Sequence, residues 1–173
     1  DGFCHCIGAP ITSDTCIGSR TEIIAYRYDS IAGSQLEDLY EAQIFPAMPT
    51  DGKVLNFLGT PDIYDLNNIG SLVQGYLTVP ETGNYRFNVS GDDGTIFFLS
   101  SDASIENKQD NFCVVTNYTN FNQFDKYIFQ ATGNVYLEKN QYYFFEINHK
   151  EGSGGEHFAV TWQTPFTEPG VWK

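Results

Sequence analysis

One stretch of the chain decides its fold, and it reads Gly75-Tyr76-Leu77-Thr78-Val79-Pro80-Glu81-Thr82-Gly83-Asn84-Tyr85-Arg86-Phe87-Asn88-Val89-Ser90-Gly91-Asp92-Asp93-Gly94. Two runs rich in β-branched and aromatic residues flank a Pro-Glu-Thr-Gly segment, in which proline and glycine take the positions that a tight turn favours. The pattern predicts a strand over 71–79, a strand over 84–90 and, after an acidic pair, a third strand over 95–100.

The acidic pair, Asp92 and Asp93, lies between two glycines at the point where the second strand should end. Two neighbouring carboxylates in a loop repel each other unless a positive charge lies between them. A hard cation with oxygen ligands meets that need, and calcium fits best outside the cell. An ordinary turn is the alternative, because Gly-Asp-Asp-Gly suits a turn in any protein.

The composition predicts a single all-β domain that spans residues 1–173. Hydrophobic residues make up 41% and aromatic residues 16% of the chain, which is enough to bury a core. The 11 Tyr and 14 Phe favour sheet, and the 16 Gly and 7 Pro supply turns. About ten short strands separated by turns then predict a β-sandwich or a flattened barrel.

Outside the opening stretch, the pattern predicts further strands over 21–28, 54–58, 112–116, 142–148 and 158–163, and helical turns over 35–42. The segments 127–129 and 134–137 are predicted to pair with each other. Residues 150–156 are predicted to be a glycine-rich loop, because Gly152, Gly154 and Gly155 leave the backbone free to turn.

The net charge of −13 excludes two classes of partner. Nucleic acid and anionic membranes would both repel a chain this acidic, so we expect neither to bind it. No signal peptide and no apolar run of membrane-spanning length is visible, so we expect no membrane insertion by this domain. The charge is compatible with cation binding, although solubility alone also explains it.

The four cysteines predict a disulfide-stapled amino-terminal segment. A bond between Cys4 and Cys6 would be strained by its short loop. Two pairings remain, Cys4 with Cys16 and Cys6 with Cys113, or Cys4 with Cys113 and Cys6 with Cys16. Free thiols of an intracellular protein are the alternative.

Two glycosylation sequons begin at Asn88 and Asn117. Asn88 falls inside a predicted strand, whereas Asn117 falls in a polar loop. Asn117 is therefore the candidate for glycan attachment.

The Gly-Tyr-Leu…Pro-Glu-Thr-Gly-x-Tyr-x-Phe…Gly-Asp-Asp-Gly pattern resembles the PA14 domain. More narrowly, it is similar to the flocculin and GLEYA-type lectins of fungal cell-wall adhesins. The resemblance is specific over residues 70–100 and weaker but consistent over 141–165, and it does not place residues 1–50. It implies a β-sandwich in which a cis peptide joins Asp92 to Asp93, and in which both carboxylates bind a calcium ion that in turn holds a sugar.

The resemblance also implies that a second loop completes the calcium site. Glu151 takes the place of a side-chain ligand that is often Asn in the family, and the carbonyls of Ser153 and Gly155 follow at alternate residues. Glu in place of Asn adds a negative charge, and Asn148 is a rival for the same role. A plain flexible hairpin loop is the alternative reading of this segment.

Sugar contacts are expected from the same two loops, from Asp92 and Asp93 and from Gly152, Gly154 and Glu156. A sugar site usually also has an aromatic platform, and the candidates near the second loop are Tyr143, His149, His157, Trp162 and Trp172. Alternation within its strand favours a core position for Trp162. The two histidines lack a third partner at the spacing that zinc requires.

The sequence contains no recognisable catalytic set. The two acids of a glycosidase act across the scissile bond from about 5–9 Å apart, which adjacent residues match poorly. No nucleophile elbow, phosphate-binding loop or His-Glu-x-x-His motif occurs. We therefore expect that the chain is not an enzyme, although PA14 domains also occur as accessory modules inside glycosidases.

Together these features predict a secreted, calcium-dependent lectin domain at the cell-wall surface. Its expected partners are cell-surface glycans, and the resemblance to chitin-end-binding yeast adhesins favours terminal N-acetylglucosamine. We expect a monomeric domain with weak single sites that act through many copies on one surface. The alternatives are an accessory module of a glycosidase and a structural or protein-binding module without sugar affinity.

Overall fold

The computed structural model describes residues 22–60, 66–109, 113–168 and 171. The predictions made for residues 1–21 and for Trp172 lie outside this part of the chain. This part of the chain contains nine strands, one short α-helix and two 3₁₀ turns. They are β1 (Ile23–Tyr28), α1 (Leu36–Tyr40), β2 (Asp51–Leu55), β3 (Ile69–Leu77), β4 (Gly83–Asp92), β5 (Gly94–Leu99), a 3₁₀ turn (Ile105–Asn107), β6 (Cys113–Val115), a 3₁₀ turn (Ile128–Gln130), β7 (Val135–Leu137), β8 (Tyr143–Glu151) and β9 (His157–Gln163).

The strands form two antiparallel sheets, which confirms the predicted β-sandwich. The large sheet has the order β2-β1-β3-β8-β5-β6, and the small sheet has the order β7-β4-β9. The main core lies between them, where the rings of Phe87, Phe97 and Phe145 stack in series. A second cluster covers the outer face of the large sheet, where Leu39 of α1 packs with Leu72. Alternate residues of the strands serve the two clusters because side chains alternate between sheet faces.

The acidic pair lies where the chain crosses from the small sheet to the large one. β4 ends at Asp92, which is opposite His157 of β9, and β5 begins at Gly94, which is opposite Lys150 of β8. The crossing therefore occurs at Asp93. As a result, the acidic pair, the end of β8 and the start of β9 meet at one end of the sandwich.

The strands predicted on either side of residues 80–83 are present as β3 and β4, but they lie in different sheets and do not pair with each other. The pairing predicted between 127–129 and 134–137 is wrong. β7 pairs with β4 instead, with Gly83 opposite Leu137. The first segment is a 3₁₀ turn held by Gln130, whose buried side-chain amide donates to the carbonyls of Val89 and Gln123 at 2.8 and 2.7 Å. A side chain thus takes the role that strand pairing was expected to play.

Two strand boundaries also differ from the prediction. The strand expected over 54–58 is β2, which lies three residues earlier because Asp51–Leu55 is the segment that pairs with β1. β8 was expected to end at Asn148 but continues to Glu151, which is opposite Ile69 of β3. The glycine-rich loop therefore begins after Glu151.

The predicted disulfide pairings both fail at Cys113, which is a buried free thiol. Its side chain points into the main core, and the S–H group donates to the carbonyl of Phe87 at 3.4 Å. Burial raises the pKa of this thiol, so it is protonated at neutral pH. Cys4, Cys6 and Cys16 lie outside the described residues.

The two sequons differ in accessibility as the sequence indicated. Asn88 is buried and its amide donates to the carbonyl of Phe124 at 2.9 Å, whereas the side chain of Asn117 is exposed. Glycan attachment at Asn117 stays a prediction. In the part of the chain that the structure describes, no helix has the length and apolar character that crossing a bilayer requires.

Replacing Phe97 tests the main core. The Phe97 ring is 1% exposed and contacts two other rings, so Phe97→Ala should lower the free energy of unfolding by about 3–5 kcal/mol. Urea denaturation followed by tryptophan fluorescence measures the change. The control is Phe129→Ala, at a ring that is 68% exposed, which should change stability by less than about 0.5 kcal/mol. Equal losses for the two variants would contradict this description of the core.

Candidate metal and ligand site

A cis peptide joins Asp92 to Asp93, as the family resemblance implied. The backbone on both sides is held by the neighbouring strand β8. The amide of Asp93 donates to the carbonyl of Lys150 at 3.2 Å, and Nε2 of His149 contacts the carbonyl of Asp92 at 2.6 Å. Both aspartate side chains are partly exposed. The two carboxylates are therefore accessible while their backbone is anchored.

Glu151 brings a third carboxylate to this pair. One carboxylate oxygen from each of Asp92, Asp93 and Glu151 lies within 4.8 Å of the others. Glu151 is fully buried, and neither of its oxygens has a hydrogen-bond partner among the described residues. A buried carboxylate without a partner is unfavourable, so its oxygens are available to a ligand that supplies positive charge.

Burial and the negative charge of the cluster make the Glu151 carboxyl a weaker acid. Burial, and then the negative charges of Asp93, Asp92 and Glu156, raise the pKa of the Glu151 carboxyl to about 8, against an opposing effect of Lys150. An isolated glutamate has a pKa of about 4.3. Three converging carboxylates and nearby carbonyl groups form the oxygen-rich set that calcium prefers, so these residues fit such an ion.

The glycine loop approaches the acids closely. The amide of Gly152 donates to Oδ2 of Asp93 at 3.1 Å, and the carbonyl of Gly152 accepts from the amide of Asn68 at 2.8 Å. A Cβ atom on Gly152 would lie 3.1 Å from the carbonyl oxygen of Gly33 and 3.2 Å from Oδ2 of Asp93. The close approach therefore favours glycine at this position.

Further along the loop, the amide of Gly154 donates to Oδ1 of Asn67 at 3.1 Å. Gly154 has a φ of +124°, which only glycine adopts readily. Ser153 is exposed and Gly155 is buried. Their roles as carbonyl ligands stay predictions, as does the role of Gly154 in sugar binding.

Glu156 follows the loop and is buried, with Oε2 lacking a hydrogen-bond partner among the described residues. Burial raises the pKa of its carboxyl, and the positive charges of Lys53 and Arg27 oppose the rise. This burial differs from the exposed position that a direct sugar contact usually has. The contact predicted for Glu156 stays untested.

The structure brings Glu151, and not its rival Asn148, to the acidic pair. Nδ2 of Asn148 donates to Glu146 at 3.1 Å and to the hydroxyl of Tyr40 at 3.4 Å, beneath α1. Because a strand rises about 3.3 Å per residue, Asn148 lies about 10 Å along β8 from Glu151. It also belongs to the opposite face of the sheet.

The aromatic platform expected from the sequence is not found at the suggested residues that the structure describes. Trp162 stacks on Tyr85 against the core, as its alternation indicated. Tyr143 begins β8 and therefore lies at the far end of the sandwich. His149 and His157 are buried, and burial lowers the pKa of His149 to about 4, so its ring is neutral and its Nε2–H donates to Asp92.

Two exposed aromatic residues in the segment that passes Asp92 were missed by the sequence reasoning. Tyr118 lies opposite Asp92 in an isolated β-bridge, and Thr119 secures it by a 2.8 Å bond from its amide to the carbonyl of Gly91. Tyr118 is 46% exposed and Phe121 is 45% exposed. The available signal was the presence of two aromatic residues in an otherwise polar loop. Nζ of Lys126 lies 3.4 Å from the centre of the Tyr118 ring and covers one of its faces.

Comparison with known proteins agrees with this fold. The family model of the PA14 domain matches residues 60–169 of the chain. The structure is similar to the A domain of epithelial adhesin 9 from Candida glabrata, solved in complex with Galβ1-4GlcNAc, at 18% sequence identity and a TM-score of 0.57. That match covers 85% of this chain and 83% of the adhesin domain.

Two further similar structures are a domain of another adhesin and part of an enzyme. The PA14 sugar-binding domain of an RTX adhesin is 12% identical, with a TM-score of 0.61 over 88% of this chain and 93% of that domain. A β-glucosidase from Kluyveromyces marxianus, solved in complex with glucose, is 16% identical with a TM-score of 0.52 over 83% of this chain and 16% of the enzyme. At these identities the likeness shows the shared fold.

The raised pKa of Glu151 predicts how stability depends on pH when no cation is bound. Between about pH 4 and pH 8 the native state holds a proton on Glu151 that the unfolded state releases, so this group makes the free energy of unfolding fall as pH rises. Glu151→Gln should remove a fall of about 2 kcal/mol or more between pH 5 and pH 8. Urea denaturation of protein passed over a chelating resin measures the difference. Glu138→Gln, at an exposed site, is the control, and a Glu151→Gln curve parallel to that of the unsubstituted protein would contradict the prediction.

Proposed function

The chain belongs to the PA14 domain family, and from this premise we propose that it is a calcium-dependent lectin domain of a cell-surface adhesin. The observation that carries the proposal is the convergence of Asp92, Asp93 and Glu151 within 4.8 Å. The fully buried Glu151 carboxylate has no hydrogen-bond partner among the described residues, so a cation would compensate its charge.

The proposed ligand set combines side chains with backbone. Asp92, Asp93 and Glu151 hold the ion through carboxylate oxygens, and the carbonyls of Ser153 and Gly155 extend the shell toward the 6–8 oxygens that calcium takes. When bound, calcium supplies the positive charge to which neighbouring sugar hydroxyls coordinate. The partly exposed aspartates also accept hydrogen bonds from those hydroxyls.

Residues around the ion would shape the sugar pocket. Because Gly152 and Gly154 have no side chains, the second loop would leave room for a pyranose ring to approach the acids. The exposed part of the Tyr118 ring, in a residue that lies opposite Asp92, would offer an apolar surface to the C–H face of a sugar. Phe121 extends that surface at the rim.

The proposed ligand is a terminal, non-reducing sugar, with N-acetylglucosamine at chitin ends as the first candidate. The adhesin 9 domain was solved with Galβ1-4GlcNAc and with Galβ1-3GlcNAc, so galactose termini are the main competitor. The domain would act outside the cell, at the cell wall. It would have no catalytic activity, and adhesion would depend on many copies of a weak site.

A second candidate function follows from the β-glucosidase similarity, in which a domain of this fold is a small part of an enzyme. As an accessory module of a glycosidase, the chain would bind along a polysaccharide instead of at its ends. Competition with short oligosaccharides that differ only in their terminal sugar separates the two functions.

Removing the ion tests the calcium dependence. Binding on a glycan array should be present in calcium and lost in EDTA, and Asp93→Asn should weaken it about 10-fold or more because a carboxylate ligand is gone. Asp102→Asn makes the same change at an exposed residue beyond the far end of β5 and should bind normally. Sugar binding that persists unchanged in EDTA would reject the calcium proposal, and no glycan bound in either condition would favour a structural or protein-binding module.

Replacing Tyr118 tests the aromatic surface separately from the ion. Tyr118→Ala should raise the sugar Kd about 10-fold, since the apolar contact is lost, and leave the calcium Kd unchanged. Isothermal titration calorimetry with each ligand measures both constants. Tyr136→Ala is the matched control, because Tyr136 is also well exposed but lies in β7, at the far end of β4 from Asp92. Equal sugar affinity in the two variants would show that Tyr118 does not contact the ligand.

A further inference from the structure

A buried lysine lies directly behind the three carboxylates. Lys150 is 0% exposed, and its ammonium donates to the carbonyl oxygens of Gly33 at 2.6 Å and Glu151 at 2.7 Å. Asp38, Glu151 and Asp93 are the negative charges that act on it. A buried ammonium is stabilised only by such hydrogen bonds and counter-charges, so its location is tightly specified.

We propose that Lys150 is a positioning residue that holds the acid cluster in the arrangement that binds the cation. This inference rests on the proposed function. Lys150 joins the backbone of Glu151 to the segment Gly33–Gln35, and it does so without contributing a ligand. The Glu151 carbonyl is occupied by the ammonium, which leaves the carboxylate of that residue to face Asp92 and Asp93.

The segment Gly33–Gln35 is packed between the two halves of the site. The carbonyl of Ser34 accepts from the amide of Gly94 at 3.3 Å, immediately after the acidic pair. On its other side, a Cβ atom on Gly152 would lie 3.1 Å from both the carbonyl oxygen of Gly33 and Cβ of Ser34. By holding Gly33, Lys150 therefore fixes the segment Gly33–Gln35, which contacts both Gly94 after the acidic pair and Gly152 of the glycine loop.

The carboxyl group of Asp38 holds the other end of the segment Gly33–Gln35. Oδ2 of Asp38 accepts from the amide of Gln35 at 2.9 Å, and Gly33 has a φ of +92° where a Cβ atom would collide with the same carboxyl group. The segment is thus fixed at two points, by Lys150 and by Asp38. Neither residue is placed in the ligand set.

Charge alone and positioning predict opposite effects of removing this lysine. If Lys150 acted only through its charge, it would repel a cation, and its removal would strengthen cation binding. If it positions the ligands, its removal weakens binding even though a positive charge is lost. Partners that orient metal ligands typically change affinity by about 10–100-fold when replaced.

The experiment measures calcium binding to Lys150→Met, which preserves the length of the side chain but removes the donor. The calcium Kd from isothermal titration calorimetry should rise about 10–100-fold. Terbium bound in place of calcium should gain about one water molecule by luminescence lifetimes in H₂O and D₂O, because one protein oxygen is displaced. Lys108→Met is the matched control, since Lys108 also pairs with a buried carboxylate of β8, Glu146, at 2.7 Å. It makes the same charge change away from the cluster and should leave both readouts unchanged.

A second variant covers the case in which Lys150→Met does not fold. Asp38→Ala frees the amide of Gln35 and leaves the three acids in place, and its calcium Kd should be about 3-fold or more above that of Asp38→Asn, which loses the same negative charge but keeps an oxygen that accepts from this amide. An unchanged or lower Kd in the folded Lys150→Met protein overturns the inference, as does an Asp38→Ala Kd no higher than that of Asp38→Asn if Lys150→Met cannot be studied. Failure of the unsubstituted protein to bind calcium would instead reject the proposed function, and with it this inference.

Discussion

The geometry of this domain depends on holding three carboxylates together where the chain crosses between its two sheets. Asp92 and Asp93 are at the crossing itself, and Glu151 ends the strand beside it. Such a cluster opposes folding when no cation is present, because burial and mutual repulsion both disfavour its charge. The core between the sheets supplies the compensating stability, since β4, β5 and β8 all contribute rings to it. The acids stay converged because the strands that carry them cannot move apart independently.

Two polar side chains next to the cluster, those of His149 and Lys150, bind carbonyl groups of distant segments. His149 is neutral and donates to the Asp92 carbonyl, while Lys150 is buried between the carbonyls of Gly33 and Glu151. Glycine at 94 and 152 lets the segment near Ser34 approach both loops. The site is therefore an assembly of three segments that are about 60 residues apart in the chain. A fourth segment, which carries the exposed aromatic residues Tyr118 and Phe121, passes Asp92.

Where prediction from the sequence failed, long-range contacts had outweighed a local pattern. The run His149-Lys150-Glu151 is charged and polar, and local rules assign such a run to a loop. In the structure it continues β8, because Asp92 and Gly33 offer carbonyl partners to its buried polar groups. Gln130 likewise holds its 3₁₀ turn through the carbonyl of Val89, a contact across 41 residues that no local pattern reveals. Cys113 was expected in a disulfide on the basis of cysteine count, yet its position between the sheets makes it a core side chain.

The sequence by itself determined the all-β class, the two strands on either side of residues 80–83 and the place of the acidic pair at its strand end. These follow from alternation, turn residues and composition, which act over a few neighbouring residues. Its resemblance to a known family added the cis peptide and the partnership with Glu151. Only the tertiary structure decided that Glu151 and not Asn148 meets the aspartates, and that Tyr118 lies beside them. It also decided that Lys150 lies behind them. Those outcomes depend on strand register and on which segments pack together, because a shift of one residue along β8 turns each side chain to the opposite face of the sheet.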